Sequence, residues 1–283
     1  MSDGNKTTPP RAAGGGNPAC GTIQPCQNNN CWPDDYDKEI SVQAYGRYMR
    51  KYAADGTTEI TLTVTRSFKI YAPVKTGTEI SVEVRFSVEM DGVELTDEDV
   101  ARAKTNLETA ASTWNNKFTL VANDPQCPSK TLKIVFKPVW VDSGQHYTFK
   151  VHTTYARPGL TGPVMDVSGS TTAWQYAHEF GHCFGLPDEY SYSPTDAQQV
   201  KYIKPDGTLD AAISAPPGGK SRTAADATIM SAIGNTTRLP RHAWAVAIEV
   251  QELLKQKLGR DVKCSILFTP AYIKSNVGND WGP

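Results

Sequence analysis

The chain has 283 residues, a formal net charge of -1 and 39% hydrophobic residues, ordinary for a soluble globular protein of one large domain or one domain with appendages. The near-neutral balance argues against nucleic acid or an anionic membrane as the main partner. No stretch approaches the ~20 apolar residues that span a bilayer, and Met1–Gly16 has no apolar core, so it does not read as a secretory signal peptide.

Residues 1–33 are rich in Pro, Gly, Asn and Thr and read as a flexible arm. They hold Cys20, Cys26 and Cys31, while Cys127, Cys183 and Cys264 are scattered. An even cysteine count in loop-like sequence leans towards disulfides, with free buried thiols as the alternative, and so towards work outside a reducing cytoplasm. Tyr36, Ile40, Ala44, Tyr48 and Tyr52 recur at near-helical spacing and predict a helix over 35–53. Two period-two alternations follow, Ile60 to Ile70 and Ile80 to Met90, with a turn at Lys75–Gly77; both read as half-buried strands.

The period then changes. Thr96 is placed to cap a helix with Asp97, Glu98 and Asp99 in its first turn, and Val100, Ala103, Leu107, Ala110, Trp114 and Phe118 trace one face. Strands are expected over 131–141, 146–155 and 164–167, then a helix over 172–184. A long polar stretch, 191–226, reads as a loop beside a cleft. A last helix runs from Pro240 to Leu258, with a final strand at Cys264–Phe268. The order predicts an α+β fold: a mixed twisted sheet backed by the long helix and the 172–184 helix, with a smaller helical C-terminal part. The expected division is an arm (1–33), an N-terminal extension (34–75) and a main domain (76–283), the last split at residue 185.

The chemistry concentrates in HEFGHCFGLPDEY, residues 178–190. On a helix His178 and His182 lie one turn apart on one face, the spacing at which two imidazoles hold one zinc ion, with Glu179 beside them as general base. Gly185 is suited to a left-handed helix end that turns the chain back and delivers Asp188 as third ligand. Glu189 and the distant Glu249 are the alternative third ligands. Tyr190 either packs or stabilises an oxyanion. Cys183 faces away from the metal side as a buried thiol. His146, His152 and His242 read as surface residues or as supports behind the ligands.

With Gly185 and Asp188 in register, the segment resembles the extended HExxHxxGxxH pattern of metzincin zinc endopeptidases, with Asp in place of the last His. GLPDEY is similar to the snapalysin-type members, and ATIMSAIG at 227–234 offers Met230 for the turn that underlies the metal in that family. The resemblance covers about residues 78–258. It implies a metzincin-like fold, a Zn2+ cofactor held by His178, His182 and Asp188, and a protein or peptide substrate cut by Glu179-assisted water attack. In that family a rim strand pairs with the substrate backbone, and both 146–155 and 164–167 are candidates for it.

The cysteine-bearing arm and lone domain look similar to bacterial toxin or effector proteases delivered outside the producing cell, with an immunity or delivery partner. Two other readings stay open: a zinc amidase acting on peptidoglycan, and a catalytically silent module stabilised by zinc.

Overall fold

The computed structural model describes residues 31–155, 157–218, 220 and 227–268. The expected arm (save 31–33), Cys20, Cys26 and residues 219 and 221–226 of the expected loop lie outside the described residues.

The centre is a nine-stranded mixed sheet. Its strands are β1 (Tyr36–Gln43), β4 (Thr65–Ala72), β5 (Glu79–Asp91), β6 (Phe118–Asp124), β7 (Cys127–Trp140), β8 (Tyr147–His152), β9 (Gly159–Thr161), β10 (Val164–Ser168) and β13 (Lys263–Phe268). The path runs β13-β6-β7-β5-β8-β10-β9, and β4 joins β5 and carries β1. The long β5 runs parallel to β7 and β8, and β8 runs parallel to β10. Alternate residues Ile80, Val82, Val84 and Phe86 are fully buried, as period-two patterning requires. Behind this sheet lie α1 (Asp97–Ser112) and α2 (Ala173–Cys183), which pack on each other; α1 also meets β7 and α2 meets β4 and β9. Thr96 and Asp99 form a reciprocal capping box at the start of α1, as do Thr172 and Gln175 at the start of α2.

A second, four-stranded antiparallel sheet has the order β12-β11-β2-β3, from β2 (Met49–Ala53), β3 (Glu59–Ile60), β11 (Gln198–Tyr202) and β12 (Ile213–Ala215). A 3-10 turn, Pro240–Ala243, leads into α3 (Trp244–Leu258), which ends at Gly259 in a left-handed conformation. One apolar cluster takes in Ile40 and Phe68, the main-sheet core, Val200 and Tyr202, and α3 residues Val246, Val250 and Leu254.

Several expectations are corrected. The helix over 35–53 is β1 and β2: a four-residue recurrence is also twice a two-residue one, and Lys38, Ile40 and Val42 lie in an eight-residue ladder with β4. The first expected alternation is broken after Ile60, and the strand proper begins at Thr65. The helical face said to include Trp114 and Phe118 ends sooner; α1 stops at Ser112, and Phe118 opens β6, a strand not expected. The 191–226 loop contains β11 and β12, so the part after the site is not simply helical, and β13 returns to the main sheet. Cys31 and Cys127 are joined by a disulfide across 96 residues, whereas Cys183 and Cys264 are buried free thiols.

Candidate metal centre

Helix α2 carries His178, Glu179 and His182. Beneath it the chain is close-packed: a Cβ added at Gly181 would lie 3.0 Å from the Met230 Sδ and 3.0 Å from the Trp114 ring. The helix ends in a Schellman turn, with Gly185 N–H donating to the His182 carbonyl (3.0 Å) and Leu186 N–H to the Gly181 carbonyl (3.3 Å). Gly185 sits at φ +105°, where a Cβ would also meet the Tyr48 ring at 2.7 Å, so glycine is required twice over. Reversed there, the chain brings Asp188 back under the histidines.

Both imidazoles are oriented by backbone. His178 Nδ1 lies 2.8 Å from the Ile229 carbonyl, and His182 Nδ1 lies 2.7 Å from the Leu186 carbonyl within the reversing turn. A carbonyl only accepts, so each Nδ1 carries a proton and each Nε2 is the nitrogen turned towards the other histidine. The two Nε2 atoms are 3.2 Å apart, and Asp188 Oδ1 lies 3.0 Å from one and 3.3 Å from the other. Asp188 Oδ1 is buried and makes no hydrogen bond. Three groups able to accept thus converge on one point, an arrangement relieved either by a proton on an imidazole Nε2 or by a cation between them. Without a cation, burial pulls the His178 imidazole down, but Asp188 overrides it and holds it up at about 9. Burial raises Asp188, and the two histidines more than reverse this, leaving it well below 3.8.

Glu179 stands one step back. Its oxygens lie 4.0 Å from His178 Nε2 and 4.0 Å from His182 Nε2, and Oε2 accepts the Leu160 N–H of β9 at 2.8 Å. His178, Glu179 and His182 form a compact trio of donor atoms, but Asp188 Oδ1 is closer to both imidazoles and has no hydrogen-bond partner. Asp188 Oδ2 accepts from the hydroxyl of Tyr192. Half-buried Tyr190 stacks on His178 at 6.3 Å, and Trp174 stacks on it at 4.8 Å.

The two rival carboxylates are engaged elsewhere. Glu189, fully buried, accepts from Tyr202 (3.1 Å), Thr228 (2.8 Å) and both Arg241 nitrogens (2.8 and 2.9 Å), with His242 Nε2 at 3.3 Å. Glu249 accepts from Lys38 (2.9 Å), Tyr48 (2.7 Å) and Arg47. Met230 belongs to the tight 228–232 turn and is itself buried; its carbonyl accepts the Glu189 N–H at 2.8 Å. None of the three remaining histidines is a free surface residue. His242 is fully buried against Glu189, His152 is held by Asp166 at 2.7 Å, and His146 sits between Arg85 and Glu39.

Glu179, His182 and Asp188 open onto a cleft of about 1000 Å³ lined by Thr63–Ser67, Tyr155, Arg157–Pro163 and Tyr190. The strand at this rim is β9, at the end of the sheet; β8 and β10, the segments expected to offer a free edge, are each paired on both sides. Upstream contributions to the site, Tyr48 beneath Gly185 and Arg66 in the cleft, were not foreseen, because only the fold brings residues so distant in sequence to α2. No family model, curated protein or solved structure matches the chain.

Proposed function

We propose that the protein is a zinc-dependent metalloendopeptidase that hydrolyses peptide bonds. The observation that supports it is the convergence of His178 Nε2, His182 Nε2 and the unpartnered Asp188 Oδ1 at mutual separations of 3.0–3.3 Å. Ligands about 2.0–2.1 Å from a tetrahedral zinc ion lie roughly 3.3 Å from one another, and three protein ligands leave a position open. The resemblance of 178–190 to metzincins points the same way. His178, His182 and Asp188 would hold the zinc ion, which would supply Lewis-acid polarisation of the carbonyl and a more acidic water.

The chain supplies the rest. Glu179 is too far to be the third ligand but near enough to take the proton of a water attacking the carbonyl carbon. The Leu160 N–H fixes one of its oxygens and leaves the other for that proton. As the C–N bond breaks, Glu179 gives the proton to the departing amine nitrogen. The rim strand β9 offers its outer edge for the substrate backbone. The Cys31–Cys127 disulfide accords with a protein that works in an oxidising setting, delivered outside its producing cell. Among the described residues no helix is long and apolar enough to cross a membrane.

The test is Glu179→Gln. Retained zinc with casein hydrolysis lowered on the order of 10²–10⁴-fold supports the assignment. Unchanged hydrolysis at full zinc content overturns it, and digestion of purified cell wall but not casein moves the substrate from protein to peptidoglycan.

A further inference from the structure

Arg66 is the second residue of β4, and it lines the cleft without a part in the hydrolytic reading. It is only 9% exposed. Its single hydrogen bond among the described residues goes from one terminal nitrogen to the carbonyl of the adjacent Thr65, at 3.1 Å. No carboxylate among the described residues forms an ion pair with it, although Lys38, Arg47, Arg85, Arg241 and Arg260 all have one. A guanidinium has five N–H donors and stays charged at any pH a protein tolerates, and the unpaired Arg66 donors, none of them among the buried unpartnered atoms, face the cleft free to take an anion.

Where the side chain sits indicates which anion. Arg66 lines the 1000 Å³ cleft together with Glu179, His182 and Asp188. It also lines a smaller recess of about 140 Å³ formed by Met49, Leu62, Val64, Leu186 and Pro187, which shares His182 and Asp188 with the cleft. Glu179 and Asp188 are committed to the metal centre, and the other charged residues lining the cleft are Arg66 and the exposed Arg157. Outside the centre, then, the cleft carries only positive charge, beside a recess large enough for a short side chain.

We infer that Arg66 anchors a carboxylate of the substrate next to the bond that is broken, making an acidic residue or a chain terminus the specificity element. The planar fork of a guanidinium matches a carboxylate in two parallel hydrogen bonds, and the partly dry recess strengthens them. The inference rests on the hydrolytic reading for the word substrate, but the anchor itself is a binding site that can be measured without turnover.

The experiment uses zinc-loaded Glu179→Gln and fluorescent octapeptides with randomised neutral positions. One pool carries a central Glu and a C-terminal amide, a second a central Gln and an amide, and a third a central Gln and a free C-terminus. Affinity is read by fluorescence polarisation. The expected result is binding of the Glu pool or the free-terminus pool at least roughly 30-fold tighter than the Gln amide pool. Which of the two wins tells a side-chain carboxylate from a terminal one. Adding Arg66→Met collapses the ratio towards one, and Arg66→Lys keeps part of it because charge survives while the fork is lost. Equal affinity for all three pools, or no detectable binding, overturns the anchor, as does a preference that survives Arg66→Met. The pool ratio of the Arg66-intact protein decides the matter even if Arg66→Met does not fold. Restoring Glu179 then separates the two ideas: carboxylate-dependent binding without cleavage of any pool leaves the anchor standing and removes the peptidase.

Discussion

Asp188 and Glu189 are neighbours in sequence, both carboxylates and both buried, yet their surroundings are opposite. Asp188 faces two imidazole Nε2 atoms with Oδ1 left without a hydrogen bond. Glu189 points the other way and is saturated by donors from Tyr202, Thr228, Arg241 and His242. One peptide therefore joins a site short of positive charge to a site complete in itself. The difference is the one expected between a metal ligand, left wanting by its own chain, and a structural anchor, satisfied by it. By the same criterion Glu249, held by Lys38, Arg47 and Tyr48, is an anchor.

The largest expected effect tests the Asp188 half. Asp188→Ala is expected to weaken zinc binding by more than about 100-fold, since even residues supporting ligands cost 10–100-fold. Metal per chain after dialysis against a zinc buffer measures it, with Glu249→Ala retaining its metal as the control. If Asp188→Ala stays loaded while Glu249→Ala comes out empty, the comparison is inverted.

Next in size is the Glu189 half. Glu189→Ala strands Arg241 and His242 in the interior, and losing one member of a buried charged group costs roughly 3–5 kcal/mol. A calorimetric melt should show this, with zinc per folded chain unchanged. The acid limb of stability sharpens it. Burial raises the Glu189 carboxyl, but His242 and Arg241 outweigh burial and leave it well below 4.5. A carboxyl depressed in the folded state contributes stability that is complete above its unfolded value and drains away as pH falls towards the folded one. The melting temperature of Glu189→Gln should therefore fall less steeply than that of the parent between about pH 5 and pH 3. Parallel slopes would show that Glu189 is not the group responsible.

The contrast also explains which features were legible in advance. His178, Glu179, His182, Gly185 and Asp188 lie within one short helix and its reversing turn, so their geometry follows from helix pitch and one left-handed glycine. The partners of Glu189 come from β11, the 228–232 turn and the 3-10 turn Pro240–Ala243, and no local spacing announces them. The same limit hid the second sheet. β2 and β11 are 145 or more residues apart, and β11 is polar on alternate positions, so QQVKY reads as loop until β2 is beside it. The Tyr36–Tyr52 segment reads as a helix in sequence because its apolar positions sit at a spacing both periods share, and Phe118, placed on a helix face by the same spacing, opens β6 instead.

The smallest expected effect probes whether the two halves are independent. Tyr202 is fully buried and donates one of the hydrogen bonds that saturate Glu189. Tyr202→Phe keeps the ring, and with it the packing on Trp244. It removes one donor while Thr228, Arg241 and His242 remain, so Glu189 is never left bare. A buried hydrogen bond of this kind is worth about 1 kcal/mol, or about 2–4 °C in melting temperature for a chain of this size. Zinc affinity should not change, because the Glu189 N–H still bonds the Met230 carbonyl and the reversing turn at Gly185 is untouched. Should Tyr202→Phe release the metal, the network around Glu189 would be setting the position of Asp188 through the peptide they share. The anchor would then be part of the ligand.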